Sequence, residues 1–298
     1  MEKVLVLIST YNGEKYLEEQ LQSLYQQEGV KVDILVRDDG SSDATKEILQ
    51  REQIAGKLTW YTGENLGPAK SFMNLVQKAP TYKYYAFCDQ DDIWSTNKLI
   101  SAIDMIREFI RIPAMYHSAV TLCDEDGNEI GKCGGYNHRG FLNGETRSVL
   151  GCTVVFNDEL MLLLKKYNPK FFPMHDAWVH ELCLAVDGKI LYDDNSHMRY
   201  RQHGNNTVGA KQGLFNAIKR RLHFLYNRVP KATSKMLLEI CENYSLEMPA
   251  ENIARCKFVC SYDKSASNKL KVLADKKLFE GRLWWGMERR LLILVNKF

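Results

Sequence analysis

The chain opens on an apolar run, "KVLVLIST" (residues 3–10), followed by "YNGEKYLEEQLQSLYQQ", in which Tyr16, Leu17, Leu21, Leu24 and Tyr25 recur at helical spacing. A short apolar run ahead of a 3.6-residue stripe predicts a strand and then a helix. The alternation returns twice more. "VDILVRDD" (32–39) predicts a second strand, and the following "GSSD" supplies serines and Asp43 to cap the helix "ATKEILQRE". "LTWYTG" (58–63) predicts a third strand, "GPAKSFMNLVQKA" a helix, and "YKYYAFCD" (82–89) a fourth strand. This rhythm implies an α/β fold, a Rossmann-like doubly wound and mostly parallel sheet with right-handed crossovers. Ligands of such sheets sit beyond the carboxyl ends of the strands. Four polar stretches fall there, "STYNGE", "RDDGSSD", "TGENLG" and "DQDD", and they are expected to meet in one crevice.

The middle is less regular. "SAIDMIREFI" predicts a helix, "AMYHSAVTLCD" a strand and "EDGNEI" a turn, while "KCGGYNHRGFLNGETRS" reads as a glycine-rich mobile loop. "LGCTVVFN" predicts a strand, "DELMLLLKKY" a helix, and "MHDAWVHELCLAV" a buried helix that opens with His175 and Asp176. "KILYDD" predicts a last strand closed by Asp193 and Asp194 as a solvated turn, ahead of "HMRYRQHGNN". Beyond about residue 210 only helices are expected. Leu214, Ile218, Leu222 and Leu225 form one stripe beside Lys219, Arg220 and Arg221, and Trp284, Met287, Leu291 and Leu294 form another. The expected organisation is therefore an α/β domain over 1–210 and a helical extension over 211–298. In the first, a regular front half covers about 1–100 and a less regular half about 101–210.

Charge sharpens that division. The net charge is +3, but residues 211–298 hold 18 Lys/Arg against 8 Asp/Glu, and residues 1–210 hold 22 against 29. A basic helical end suits an anionic membrane surface, with Trp284 and Trp285 at the headgroup level, or a homodimer contact, or simple packing on the α/β domain. An acidic pocket and the lack of any recognised nucleic-acid module argue against nucleic acid. The eight cysteines are scattered without a CxxC and read as free thiols in a reducing cytoplasm. No secretory signal opens the chain, and no run reaches the ~18 apolar residues of a membrane span. The expected location is cytoplasmic, or peripheral on the inner face of the membrane.

The acids of "FCDQDDIW" (87–94) carry the chemistry. Mg²⁺ and Mn²⁺ favour carboxylate oxygens, take one or two from protein and share the rest between water and phosphates. Asp89 and Asp91, one residue apart at a strand end, suit that sparse set, and Asp92 is expected to point elsewhere, toward the cap of the next helix.

"STYNGEKYLEEQLQSLYQQ", "VDILVRDDGSSDAT", "GENLGPAKSFMNLV" and "CDQDDIW", in this order, resemble the family 2 glycosyltransferases with a GT-A fold. "DQDDIW" with the later "YRQHGNN" is most similar to the bacterial rhamnosyltransferase-type branch that builds surface polysaccharides. The resemblance is specific over roughly residues 3 to 100, weaker to 210 and absent beyond. It implies that Ser9 and Tyr11 line the base pocket, that Asp39 accepts the ring N–H of uracil or thymine, and that Asp38 lies beside it. Asn65 faces the nucleotide, and Gly67 lets the backbone turn closely. Asp89 approaches the ribose or a metal-bound water, and Asp91 holds the metal against the diphosphate. Asp176 in "MHDAW" matches the acidic residue of the family's ED-like motif, with His175 where many relatives have Glu, and is the expected general base. Arg201 and His203 of "YRQHGNN" are expected to grip the diphosphate or complete the metal shell. Gly151, Cys152 and Thr153 resemble the segment lining the acceptor side. Trp94 and Trp178 are candidates to stack on a sugar, or else to pack the core.

The expected reaction is an inverting, Mn²⁺- or Mg²⁺-dependent transfer from a nucleoside diphosphate sugar to a glycan or lipid-linked acceptor. dTDP-rhamnose is the first choice of donor and UDP-Gal, UDP-Glc or UDP-GlcNAc the alternatives. A nucleotidyltransferase needs a glycine-rich, Lys/Arg-bearing loop after the first strand, and "STYNGEKY" has one glycine and no arginine. A non-catalytic glycan- or partner-binding module would have lost the acidic pair, and both members are present.

Overall fold

Strand β1 (Glu2–Thr10) lies at the centre of a parallel array, with β2 (Val30–Asp38) on one side and β4 (Tyr84–Cys88) on the other. Strand β3 (Thr59–Thr62) extends the array beyond β2, and α1 (Leu17–Tyr25), α2 (Thr45–Ile54) and α3 (Pro68–Lys78) make the crossovers. The computed structural model describes residues 1–134, 140–143, 149–203, 230–280 and 283–298, with side chains in the last stretch from Gly286 onward. Alternation along β1 explains the two layers. Val4, Val6 and Ile8 pack with Leu17, Leu21 and Leu49 on one face, while Leu5 and Leu7 pack with Phe72, Leu75 and Val76 on the other. Strands apolar on both faces belong inside a two-layered α/β sandwich.

The parallel expectation holds through β4; beyond it the sheet is mixed. Short β5 (Ile93–Trp94) precedes α4 (Lys98–Ile106), and β6 (Ala114–Cys123) forms a hairpin with β7 (Glu129–Cys133). Strand β8 (Val155–Asn157) runs antiparallel to both β4 and β6, and β9 (Lys189–Arg201) runs parallel to β6. Among the described residues the order is β3-β2-β1-β4-β8-β6-β9-β5, with β7 attached to β6.

Several expectations need correction. "LGCTVVFN" is not one strand: Gly151–Thr153 is a 3₁₀ turn, closed by Thr153 Oγ1 donating to Leu150 O at 2.7 Å, and only Val155–Asn157 pairs. Asp193 and Asp194 do not end a strand. Strand β9 continues to Arg201, and its pairing jumps from Ser118↔Asp193 to Ala119↔Ser196, so the two acids begin a bulge. Asp193 accepts hydrogen bonds from Asn195 N and Tyr116 Oη and bonds His197 Nε2, which keeps it from being a solvated charge. Asp92 caps no helix, because α4 begins six residues later.

Helices α5 (Asp158–Lys166) and α6 (His175–Ala185) are followed at the helical end by α7 (Ala232–Asn243), α8 (Ala250–Val259), α9 (Ala266–Leu273) and α10 (Leu283–Leu294). Leu237, Ile240, Tyr244 and Ile293 share one buried cluster with Trp178, Leu164 and Phe72, so these helices complete the core over α3, α5 and α6. On α10 the expected stripe points outward: Met287, Leu291 and Leu294 are exposed, and Leu292 and Ile293 are buried instead. The stripe expected at Leu214–Leu225, parts of the glycine-rich loop, and the side chains of Trp284 and Trp285 lie outside the described residues. No helix among the described residues is long and apolar enough to cross a membrane.

Candidate active site

The four strand-end stretches meet as their positions require. In the first two, Asn12 Oδ1 accepts from Ser42 N at 2.9 Å, Gly13 N donates to Thr45 Oγ1 at 2.8 Å, and Glu14 Oε2 accepts from Ala44 N at 2.8 Å. Asp38 is fully buried and accepts from the amides of Gly40 and Ser41 and from Thr62 Oγ1, so it holds the turn together. Asp39 accepts from Leu66 N at 2.9 Å and Gly67 N at 2.8 Å and is paired with Arg37, which ties the second stretch to the third. Gly67 sits at φ +75°, where a side chain would be strained, and so lets the chain bring its amide onto Asp39. Ser9 Oγ lies 2.5 Å from Ser71 Oγ, which also accepts from Arg37 at 3.0 Å. Tyr11 is half exposed at the mouth, and exposed Asn65 accepts from Gly67 N at 3.1 Å. Of Ser9, Tyr11, Asp38, Asp39, Asn65 and Gly67, only Tyr11 and Asn65 are exposed; Asp38 and Asp39 build the floor from inside.

The acid cluster lies beside this floor. Pairing of β5 with β9 (Ile93↔Arg199, Trp94↔Met198) delivers the distant "YRQH" to "DQDD". His203 Nε2 stands 2.7 Å from Asp91 Oδ2, and the His203 ring stacks on Tyr16 at 5.1 Å. Arg201 is 2% exposed, so it is not open to a diphosphate. Its guanidinium donates to Asp91 O at 2.9 Å, to Glu19 at 2.5 Å and to Glu125 O, and its amide donates to Asp92 Oδ1 at 3.2 Å. It braces the acid loop from behind.

Asp89 is the electrostatic centre. Burial, then the carboxylates of Asp91 and Asp176, push its carboxyl up to about 7. Like charges gathered in one buried site are what a divalent ion relieves. Asp89, Asp92 and Cys152 each bring one ligand atom within 4.8 Å of the others. The Cys152 thiol is pushed well above its usual range by burial and remains S–H, and Asp92 is closed off from solvent. Among the described residues the carboxylates of this cluster suit a hard cation, and the buried thiol does not.

Asp176 reaches the same place from the other half of the chain. It begins α6, accepts from Ala177 N at 2.7 Å and from Gly151 N at 3.1 Å, and burial raises its carboxyl to about 6. The helix start does not keep its pKa low, as position alone would suggest, because desolvation outweighs the two amides. His175 is 2% exposed, stacks on Phe72 at 4.0 Å and meets the edge of Phe87; burial lowers its pKa to about 3, so it is a neutral ring. Gly151 makes room for it, since a Cβ there would fall 2.5 Å from His175 Nε2. Trp94 and Trp178 are 3% and 0% exposed and pack the core, so neither is offered to a sugar.

Sequence reasoning passed over three residues. Gln90 receives Thr10 Oγ1 at 2.6 Å and Tyr11 N at 2.9 Å and so ties the first stretch to the fourth. Arg37, two residues before Asp39, is a buried strand cation, a signal that was available. Lys98, also fully buried, donates to Cys152 O at 2.6 Å.

Residues 5–138 match the family described as "Glycosyl transferase family 2". The dTDP-rhamnosyl transferase RfbG of Shigella flexneri is 30% identical over 235 residues, covering 74% of this chain and 80% of that one. Among solved structures, S. aureus TarS 1-349 in complex with UDP-GlcNAc is similar with a TM-score of 0.55 at 16% identity, over 98% of this chain and 89% of that one. The mannosyltransferase PcManGT of Pyrobaculum calidifontis, in complex with GDP-Man and Mn²⁺, gives 0.51 at 18% identity, over 98% and 85%. Full-length TarS is longer, and this chain spans 46% of it. At those identities the structures speak for the GT-A fold, and the sequence likeness to RfbG goes further: the chain belongs to glycosyltransferase family 2.

Proposed function

We propose that this glycosyltransferase is an inverting, Mn²⁺- or Mg²⁺-dependent enzyme that moves a sugar from a nucleoside diphosphate to a glycan or lipid-linked hydroxyl. One observation carries the reading: Asp176 accepts from the amide of Gly151, and the next residue, Cys152, brings its sulfur within 4.8 Å of carboxylate oxygens of Asp89 and Asp92, so the acid of α6 and the acids after β4 flank one turn. Asp89 and Asp91 would hold the cation, which when bound offsets charge developing on the diphosphate leaving group. His203 orients the Asp91 carboxylate through its 2.7 Å contact, and Arg201 fixes the loop by gripping the Asp91 carbonyl. Asp176 takes the proton of the acceptor hydroxyl. A single carboxylate suffices because the donor already carries its leaving group, unlike a glycosidase with its flanking pair.

The sugar we favour is L-rhamnose from dTDP-rhamnose, supported by the name and 30% identity of RfbG; a UDP-hexose is the second reading, supported by the UDP-GlcNAc complex of TarS. Hydrolysis of a panel of nucleotide sugars with Mn²⁺ separates them. Turnover of dTDP-rhamnose well above all UDP sugars is expected, and the reverse ranking would discard the rhamnosyl assignment. The absence of metal-dependent heat with any nucleoside diphosphate would instead support a non-catalytic module.

The exposed apolar face of Met287, Leu291, Leu294 and Val295, within a basic segment, supports peripheral contact with anionic lipid. Co-sedimentation with phosphatidylglycerol vesicles is expected, and Leu291→Glu should weaken it by roughly 10-fold or more, each buried apolar side chain being worth about 1.5–3 kcal/mol. Equal sedimentation of wild type and variant would remove this face from the account.

A further inference from the structure

Lys98 is the first residue of α4 and is closed off from solvent, an unusual place for an ammonium. Its Nζ donates to the carbonyl of Cys152 at 2.6 Å and lies 3.4 Å from the centre of the Trp94 ring. Behind it stand Asp89 and Asp92, whose charges partly offset the burial that lowers its pKa to about 8. Cys152 is the middle of the 3₁₀ turn Gly151–Thr153, and the amide of Gly151 in that same turn is a hydrogen-bond donor to Asp176. A cation fixed on one side of the turn thus meets the carboxylate of α6 on the other.

The geometry points to Lys98 as a positioning residue: it pins the turn Gly151–Thr153 against the acid loop so that the Gly151 amide holds Asp176 beside the donor. This rests on the reading of Asp176 as the base. The physical case has two parts. A buried ammonium must be satisfied by oxygen, and the carbonyl it takes belongs to the segment that links the two halves of the site. Within the turn Thr153 Oγ1 and the Thr153 amide both return to Leu150, and the chain is next held at Val154, whose carbonyl accepts from Phe87 N at 3.1 Å. Without Lys98 the Cys152 carbonyl is left buried and without this donor, and the turn, with the amide it presents to Asp176, shifts to find another partner.

The test compares Lys98→Met with Lys98→Arg in the full chain. Lys98→Met is expected to lower kcat on the order of 10- to 100-fold, the effect of misplacing a reacting group by about 1 Å. KM for the donor and the Mn²⁺-dependent heat of dTDP and UDP binding should stay near wild type. The acidic limb of the rate profile should move upward by roughly half a unit or more, because Asp176 loses the firm donation of Gly151. Of the other groups facing Asp176, His180 is untouched by the substitution, and Asp89 loses the offsetting charge of Lys98, which pushes its carboxyl in the same upward direction. Lys98→Arg keeps a cation and a donor and should recover part of the rate. Should Lys98→Met not fold, Lys98→Met/Asp92→Asn removes both buried charges together, and the same slow kcat with intact nucleotide binding is expected of it. A wild-type kcat and limb in either neutral variant overturns the inference, as does a parallel loss of nucleotide binding and rate in the double variant. Asp176→Asn is run alongside: full transfer by it sinks the assignment of the base itself, whereas an inactive Asp176→Asn beside an unimpaired Lys98→Met sinks only the role of Lys98.

Discussion

Asp176→Asn is expected to lower transfer by about 10²–10⁴-fold, the usual worth of a positioned general base, while leaving metal-dependent nucleotide binding in place. The wild-type rate should fall on the acid side of about pH 6, where the Asp176 carboxylate takes up its proton, and this limb should disappear from the residual rate of the variant. The same substitution should not destabilise the fold at pH 7. Burial raises the folded-state pKa of Asp176 above its ordinary value, so the folded protein binds this proton more tightly than the unfolded chain. That contribution is favourable at low pH and is lost as pH rises through about 6. At neutral pH the ionised carboxylate costs stability on the order of 2–3 kcal/mol, and an uncharged amide relieves it, less ~1 kcal/mol because Asn can accept from only one of Gly151 and Ala177. An equal or higher Tm with lost activity is therefore the expected pair of results. A variant that unfolds at neutral pH, or that keeps its rate, contradicts the account.

Asp91→Ala should show the opposite split. Removing this carboxylate takes away a cation ligand and the partner of His203, so Mn²⁺-dependent heat with the nucleoside diphosphate should vanish and turnover should drop by at least ~10³-fold. Arg201 should stay in place, because it grips the carbonyl of residue 91 and the carboxylate of Asp92, neither of which the substitution alters. Near-wild-type stability is therefore expected. Retained Mn²⁺ binding in Asp91→Ala would move the ion to other donors. Together the two variants separate holding the donor from activating the acceptor.

The first hundred residues were legible because their information is local. Period-2 and period-3.6 patterns, with turn residues between them, specify four strands and three helices, and parallel topology then dictates which ends converge. Asp89, Asp91 and Asp176 were singled out in this way or by family likeness. Arg201 and His203 were also named, but as ligands of a diphosphate or metal. The structure buries the first and sets the second on Asp91. For Arg201, what misled the reading is that a basic residue near an acidic motif has the same appearance in sequence whether it faces the ligand or braces the loop from behind. The strand "LGCTVVFN" failed for a related reason: Gly151, the acceptor of a local turn and the donor to Asp176, takes its conformation from α6, which lies 25 residues away.

Sequence alone determined the α/β class, the parallel front of the sheet and the placing of acids at strand ends, since each follows from side-chain spacing and the stereochemistry of crossovers. Tertiary structure decided which carboxylates lose water, and so which are raised, and which cations are inside. Lys98 meets Cys152 and Arg201 meets Asp91 across 54 and 110 residues of chain. Desolvation and such contacts depend on what packs around a group in three dimensions, and no periodicity along the chain encodes it.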